Sequence, residues 1–265
     1  MPDLQLSLDI LALLFMTGLI AGLVDAIAGG GGLIALPVLL ATGLPPIQAL
    51  ATNKLQGSFG TFSSSLYFIR NGLICLREIR FMVGCTFIGS ASGTLIVQNI
   101  STDSLASIIP LLLIGIALYF LLSPRISDEQ QPARISTLLF SLSIGFGIGF
   151  YDGFFGPGAG SFFAIGFVGL LGFGLTKATA HTKILNLTSN LASLCFFALS
   201  GYVIWSIGLT MGLGQLIGAR IGARLVLRRG VKLIRPMIVI ISILISIKLF
   251  LGNNPDLLKW IGLDS

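Results

Sequence analysis

Charge is what this sequence has least of. Among 265 residues there are 10 Asp and Glu and 16 Lys and Arg, so 10% of positions are charged. A soluble domain carries about 25%, and a soluble catalytic domain does not fit this chain. Histidine is nearly absent: His181 is the single one. One imidazole cannot build the usual metal sites, and no nucleophile–base pair accompanies it. The three cysteines, Cys75, Cys85 and Cys195, show neither Cys-x-x-Cys nor a metal-ligand spacing, and read as small membrane-helix residues. A Walker sequence is missing too, which argues against an ATP-driven pump. The opening stretch, MPDLQLSLDILALLF, holds two acids and no Lys or Arg. A cleaved signal peptide needs a basic n-region, so a first membrane segment is expected there instead.

Apolar residues are what fill the chain. They make up 54% of it, and the mean hydropathy is +0.98. Apolar runs fall at 6–28, 33–43, 46–69, 79–98, 105–122, 135–155, 158–174, 178–199, 202–226 and 233–251. Their length and lack of strict alternation predict an all-α polytopic membrane protein and not a β-barrel. The formal charge of +6 sits between the runs, where it orients membrane segments; it does not indicate a nucleic-acid partner. The runs 33–43 and 158–174 are short against a span of about 20 residues, and each follows a glycine-rich break.

The first break reads GLVDAIAGGGGLIALP, Gly22 to Pro37, with Asp25 ahead of Gly29, Gly30, Gly31 and Gly32. Glycine costs about 1 kcal/mol in a helix interior, and a carboxylate in hydrocarbon roughly 2.5–3.5 kcal/mol on insertion scales. The second half repeats the pattern in GFYDGFFGPGAG, with Asp152 ahead of Gly156, Pro157, Gly158 and Gly160. Asp25 and Asp152 are 127 residues apart. After a two-residue insertion the register becomes 129, matching QALATNKL to KATAHTKI, Lys54 to Lys183, Gly72 to Gly201, and GSASG (89–93) to GARIG (218–222). Pro110 matches Pro236 after a three-residue gap. The order of these matches implies an internal duplication: repeat 1 over 1–122, a linker over 123–134, repeat 2 over 135–251, and an interfacial tail over 252–265 anchored by Trp260.

Equivalent loops differ in charge. Arg70, Arg77 and Arg80 follow the third segment, whereas the counterpart SGYVIWS has no basic residue. QNISTDS after the fourth segment has none, whereas its counterpart carries Arg224, Arg228, Arg229, Lys232 and Arg235. The positive-inside rule then places equivalent loops on opposite sides. The repeats are expected to have inverted topology, five segments each, with both termini periplasmic and the linker cytoplasmic.

Inverted repeats with broken helices are a transporter pattern. Irregular backbone at membrane depth is tolerated where it faces protein or a cavity, so the two glycine breaks are expected to face each other near the midplane. Half-helices starting near Leu33 and near Ser161 would point their positive ends into the gap and present N–H groups to an anion; tight helix packing is the other reading. Lys54 and Lys183 lie deep in apolar segments beside Asn53, Gln56, His181, Thr182, Asn186 and Asn190. The two lysines could contact an anion or pair with Asp25 or Asp152. Asp25 and Asp152 read as proton carriers, helix caps or lysine partners, and His181 as a proton relay or an interhelical hydrogen bond. The two Gly-x-x-x-Gly stretches read as packing faces. The expected partners are a small anionic substrate, the lipid bilayer and, among proteins, a second copy of the chain; neither cofactor nor metal is expected. An anion channel, a membrane enzyme and an assembly factor are the rival classes.

The stretches DAIAGGGGLIALPVLLATGLPPIQALATNKLQ and GFYDGFFGPGAGSFFAIGFV…KATAHTKILNLTSN resemble the TauE/SafE family of sulfite exporters over essentially the whole chain. The resemblance implies secondary transport of small sulfur-containing anions such as sulfite, sulfoacetate or sulfonates. It also implies a bacterial inner-membrane location and coupling to the proton gradient. A permease for a non-sulfur small organic anion remains the alternative within that pattern. The family's glycine motifs fall on Gly29 to Gly32 and Gly156 to Gly160, and its polar pairs on Asn53, Lys54, Thr182 and Lys183. Pro157 and Ala159 interrupt the second glycine motif, so the two breaks are not equivalent.

Overall fold

The structure, a computed structural model, describes residues 7–122 and 129–229. The tenth expected segment at 233–251, the tail, Pro236 and Trp260 lie outside the described residues. Nine helices are described: α1 (Leu8–Ala28), α2 (Gly31–Ala41), α3 (Pro46–Arg70), α4 (Leu76–Val97), α5 (Thr102–Leu122), α6 (Thr137–Phe154), α7 (Ala159–Leu171), α8 (Leu175–Leu199) and α9 (Trp205–Arg229). No strand is described, and the protein is an all-α membrane protein. Three of these helices, α1, α4 and α6, are long and apolar enough to cross a membrane. Helices α3, α8 and α9 have 25 residues each but carry polar inward faces, which lowers their mean hydropathy.

Local chemistry sets most boundaries. Ser7 caps α1 by accepting the Ile10 N–H at 3.4 Å, and Ser136 caps α6 by accepting that of Leu139 at 3.2 Å. Pro46 occupies the first turn of α3, where its missing N–H costs nothing. The two short helices, with 11 residues in α2 and 13 in α7, are about 17 and 20 Å long at 1.5 Å per residue. Neither spans the roughly 30 Å hydrocarbon core. Each begins two residues before the position expected from sequence, at Gly31 and not Leu33, and at Ala159 and not Ser161, because glycine and alanine allow the first turn to close early.

Packing exchanges the halves. Helix α1 lies along α9, and α4 lies along α6, so the first helix of each half packs on the fourth of the other. Helices α3 and α8 pack together at the centre, α3 also against α9 and α8 against α4. Glycines make the two long crossings close. A Cβ at Gly89 or Gly93 would fall on the carbonyl oxygens of Phe146 or Phe150, and one at Gly218 on that of Leu19. The Gly-x-x-x-Gly stretches are therefore packing faces, where small residues let backbones approach. Hydroxyls tie the second crossing: Thr86 Oγ1 donates to the Gly145 carbonyl at 3.1 Å, and Thr94 Oγ1 to that of Gly153 at 3.0 Å. Gly145 ends a π-helical stretch, Ser141–Gly145, within α6, and the Thr86 bond gives its carbonyl a partner across the crossing.

The burial pattern is that of a protein dissolved in lipid. Leu13, Met16 and Ile20 on α1, and Leu209, Leu213, Ile217 and Ile221 on α9, are exposed, whereas Asp25, Lys54, Gln56, Asp152, Lys183 and Gln215 are buried. A water-soluble protein reverses this order. One prediction follows from the crossings. Gly218→Ala should lower the melting temperature by several degrees, since overpacking costs about 1–3 kcal/mol. Gly84→Ala, on an exposed helical face with open space around it, should leave it unchanged or raise it, by up to about 1 kcal/mol of helix propensity. Equal shifts in the two variants would detach the glycine pattern from the helix crossing.

Candidate functional site

The two helix breaks meet. Helix α1 ends where Gly29 takes the left-handed conformation, at φ 78°, and its N–H donates to the Asp25 carbonyl at 2.8 Å. Gly156 and Gly158 in the second break also have positive φ, at 99° and 83°. The loops touch backbone to backbone: a Cβ on Gly29 would stand 2.5 Å from the Gly160 carbonyl carbon, and one on Gly160 2.7 Å from the Gly29 Cα. Ser161 Oγ donates to the Ala28 carbonyl, and Gly32 faces Pro157. The Pro157 carbonyl is held by Tyr151 Oη at 2.6 Å.

Charge crosses between the halves as packing does. Lys54 on α3 pairs with Asp152 on α6, Nζ to Oδ1 at 2.6 Å; Lys183 on α8 pairs with Asp25 on α1, Nζ to Oδ2 at 3.3 Å. Each ammonium also donates to the backbone carbonyl of its aspartate. These carbonyls belong to the last turns before the breaks, where a cation suits the helix C-terminal end. Lys54 is 1% exposed and Lys183 0%. Asp152 Oδ2 accepts from Ser189 Oγ, and Asp25 Oδ1 from the Gly31 N–H at 3.4 Å. The positive end of α2 therefore faces a carboxylate of the chain itself. The N–H groups of Gly30, Gly32 and Gly160 take part in no described hydrogen bond.

Between the breaks lies a cavity of about 30 Å³, lined by Asp25, Gly29, Gly32, Asn53, Gln56, Gly57, Thr61, Asp152, Gly156, Gly158, Ala159, Gly160, Asn186, Asn190 and Gln215. That volume admits a water-sized species. Eleven of the residues singled out in the sequence thus line one space: Asp25, Gly29, Gly32, Asn53, Gln56, Asp152, Gly156, Gly158, Gly160, Asn186 and Asn190. Seven do not. Gly30, Gly31 and Pro157 form the loop backbones behind it, Lys54 and Lys183 stand behind their aspartates, and Thr182 is buried with its Oγ1 unpartnered. His181 lines a different cavity of about 380 Å³ with Gly72, Leu73, Cys75, Glu78 and Lys177. Its Nδ1 lies 2.9 Å from the Lys177 carbonyl, and its ring packs on Phe167 and Phe173. The periodicity of α8 explains this placement: Lys183, Asn186 and Asn190 share one face, and His181 falls off it.

Gly57, Thr61, Ser189 and Gln215 were not candidates from sequence. Gln215 carries a usable signal, as an amide inside a glycine-rich membrane helix. Gly57 makes room for an amide: a Cβ there would sit 3.2 Å from Asn190 Nδ2.

A family model described as "Sulfite exporter TauE/SafE" matches residues 14–249. The chain is 50% identical over 256 residues to "Probable membrane transporter protein YfcA" of Escherichia coli (strain K12), covering 96% of this chain and 95% of that one. It is 48% identical over 246 residues to "Probable membrane transporter protein" of Haemophilus influenzae, covering 93% and 96%. To "Probable membrane transporter protein ORF9" of Sinorhizobium sp it is 47% identical over 258 residues, covering 97% and 99%. No solved structure matches it. With two halves that exchange their buried charges around one polar cavity, and with a family match over most of its length, the chain belongs to the TauE/SafE family of membrane transporters.

Proposed function

We propose that the protein is a secondary transporter that moves small sulfur-containing anions, such as sulfite, sulfoacetate and sulfonates, across the bacterial inner membrane by alternating access. The observation that carries this is the meeting of two glycine-bounded helix breaks, each flanked by an Asp whose Lys partner comes from the other half. Broken helices at a repeat interface are where transporters bind substrate. The N–H groups of Gly30, Gly32 and Gly160, with the amides of Asn53, Asn186 and Asn190, supply donors for an oxyanion. The cavity is too small for a continuous pore, which favours a transporter over a channel, and a conformational change must widen it. Asymmetry between the ends supports alternation. The 380 Å³ cavity opens around Glu78 and His181, whereas at the register counterparts Ile204 N–H donates to Thr52 Oγ1 at 3.1 Å and Ile207 is buried. Positive charge must accompany the anion, because the paired charges of Asp25, Asp152, Lys54 and Lys183 already sum to zero and would leave the anion uncompensated. The proton is the ion the resemblance implies, with the two aspartates as its carriers.

In proteoliposomes, sulfite flux should saturate and be competed by sulfoacetate more strongly than by simple carboxylates. Equal competition by carboxylates would move the substrate to non-sulfur anions, and absent flux with all of them would remove the transport reading. The inverted orientation is tested separately. In a background with Cys85 and Cys195 replaced by alanine, the exposed Cys75 should react with a membrane-impermeant maleimide only after permeabilisation. Ser206→Cys, at the register counterpart of Arg77, should react in intact spheroplasts once Cys75 is replaced. Labelling of both from one side would overturn the inversion.

A further inference from the structure

The central cavity is richer in free acceptors than anion binding requires. Gln56, Asn186 and Gln215 line it and are 1%, 5% and 2% exposed. The side-chain carbonyl oxygen of each, Gln56 Oε1, Asn186 Oδ1 and Gln215 Oε1, has no hydrogen-bond partner among the described residues. Buried acceptors left unmatched by protein groups call for a ligand or water. Asp25 and Asp152 line the same space. Each of their carboxylate oxygens accepts one described side-chain or loop N–H or O–H bond, and a carboxylate oxygen has a second lone pair to offer. Five oxygen-bearing side chains, from α1, α3, α6, α8 and α9, thus surround a volume that fits one water-sized species.

We propose that this cavity binds a sodium ion, which enters the transport cycle together with the anion. The inference rests on the anion-transport reading above and replaces the proton with a metal cation as the coupling ion. Three observations select the ion. Carboxylate and carbonyl oxygens suit hard cations, and the lining holds no thiolate or imidazole. A proton needs one acceptor and leaves amide carbonyls unmatched, whereas a cation collects several. The four buried charges of Asp25, Asp152, Lys54 and Lys183 already sum to zero, so a divalent ion would leave two uncompensated charges in a poorly solvated site. A sodium ion leaves one, which an anion at the glycine N–H groups cancels. Between alkali ions, two carboxylates make a strong-field site, which favours the smaller sodium ion over potassium.

Purified protein in nanodiscs is melted in sodium, potassium or choline gluconate at constant ionic strength. Sodium should raise the melting temperature in a saturable way, as a ligand of the folded state does, and potassium and choline should not. Gln56→Met and Gln215→Met keep side-chain volume and remove one carbonyl oxygen each. Each should raise the sodium concentration for half-maximal stabilisation about tenfold, the effect of roughly 1.4 kcal/mol, while melting as a folded protein in choline. Equal stabilisation by all three salts would mean the cavity holds water only and would overturn the proposal. An unshifted sodium response in both variants would overturn it as well. Sulfite flux is measured alongside under sodium and choline. Flux that persists in choline and follows pH would return coupling to the proton and leave the anion reading intact. Sodium binding without flux of any sulfur-containing anion would fail that reading and leave the cation site standing.

Discussion

Lys54→Met should be among the most destabilising single substitutions in this protein, lowering stability by about 3–5 kcal/mol, because it leaves a buried carboxylate without its cation. Asp152 would retain only Ser189 as a side-chain partner, with Lys54 having donated to both its carboxylate and its backbone carbonyl. The physical point lies in the rescue. Adding Asp152→Asn to Lys54→Met removes the stranded charge and should recover most of the loss. Adding Asp25→Asn should make matters worse, since it breaks the second pair, Lys183 with Asp25. The sequence alone offers either aspartate as the partner. Thermal unfolding of the three variants, followed by retention on size exclusion after heating, checks the assignment. Better rescue by Asp25→Asn would disprove the crossed pairing. In transport, the rescued double variant should fold and still move anion poorly, because it lacks one of the two charge pairs beside the cavity.

The second large effect is expected at Gly29. Its φ of 78° lies where a residue with a Cβ is strained, and that Cβ would stand 2.5 Å from the Gly160 carbonyl carbon. Two costs add: about 1–2 kcal/mol for the left-handed backbone and about 1–3 kcal/mol for overpacking. Gly43 separates them. It has φ 84°, and a Cβ there would meet nothing within 4 Å, so Gly43→Ala should cost only the first. Gly29→Ala should therefore exceed Gly43→Ala by the contact cost, and Gly29→Val should abolish transport by forcing the two loops apart. Melting temperatures of Gly29→Ala and Gly43→Ala, with sulfite flux for Gly29→Val, are the measurements. Equal cost at the two positions would mean that the loops do not bear on each other.

Much of the architecture is legible in the chain because its signals are local. Long apolar runs identify membrane helices, since the bilayer imposes a length on each. Breaks at Gly29–Gly32 and Gly156–Gly160 stand out because glycine and charge are both costly where they lie. Helix boundaries at Gly31 and Ala159 are read two residues late, since the first turn of a helix needs no side chain of its own. The importance of Asp25, Lys54, Asp152 and Lys183 is also visible, as buried charges in an otherwise apolar segment. His181 is misleading for the same reason: a rare residue type draws notice, yet the helix face it occupies turns toward Phe167 and Phe173 and away from the central cavity.

By itself the sequence determined that this is an all-α membrane protein; it also reads its two halves as related and marks Asp25, Lys54, Asp152 and Lys183 as costly charges inside apolar segments. Composition and periodicity are properties of neighbouring positions, and a repeat register is read by matching one stretch of chain to another; none of them needs any knowledge of the fold. Only the tertiary structure decided that each lysine is paired across the halves, over separations of 98 and 158 residues. It alone placed the Asp25 carboxylate against the first turn of α2, Gln215 around one cavity with Gln56 and Asn186, and Gly29 against Gly160. The physical reason is that the crossings of α1 with α9 and of α4 with α6 depend on which glycine faces meet and how closely, and that choice is made between helices, not along one.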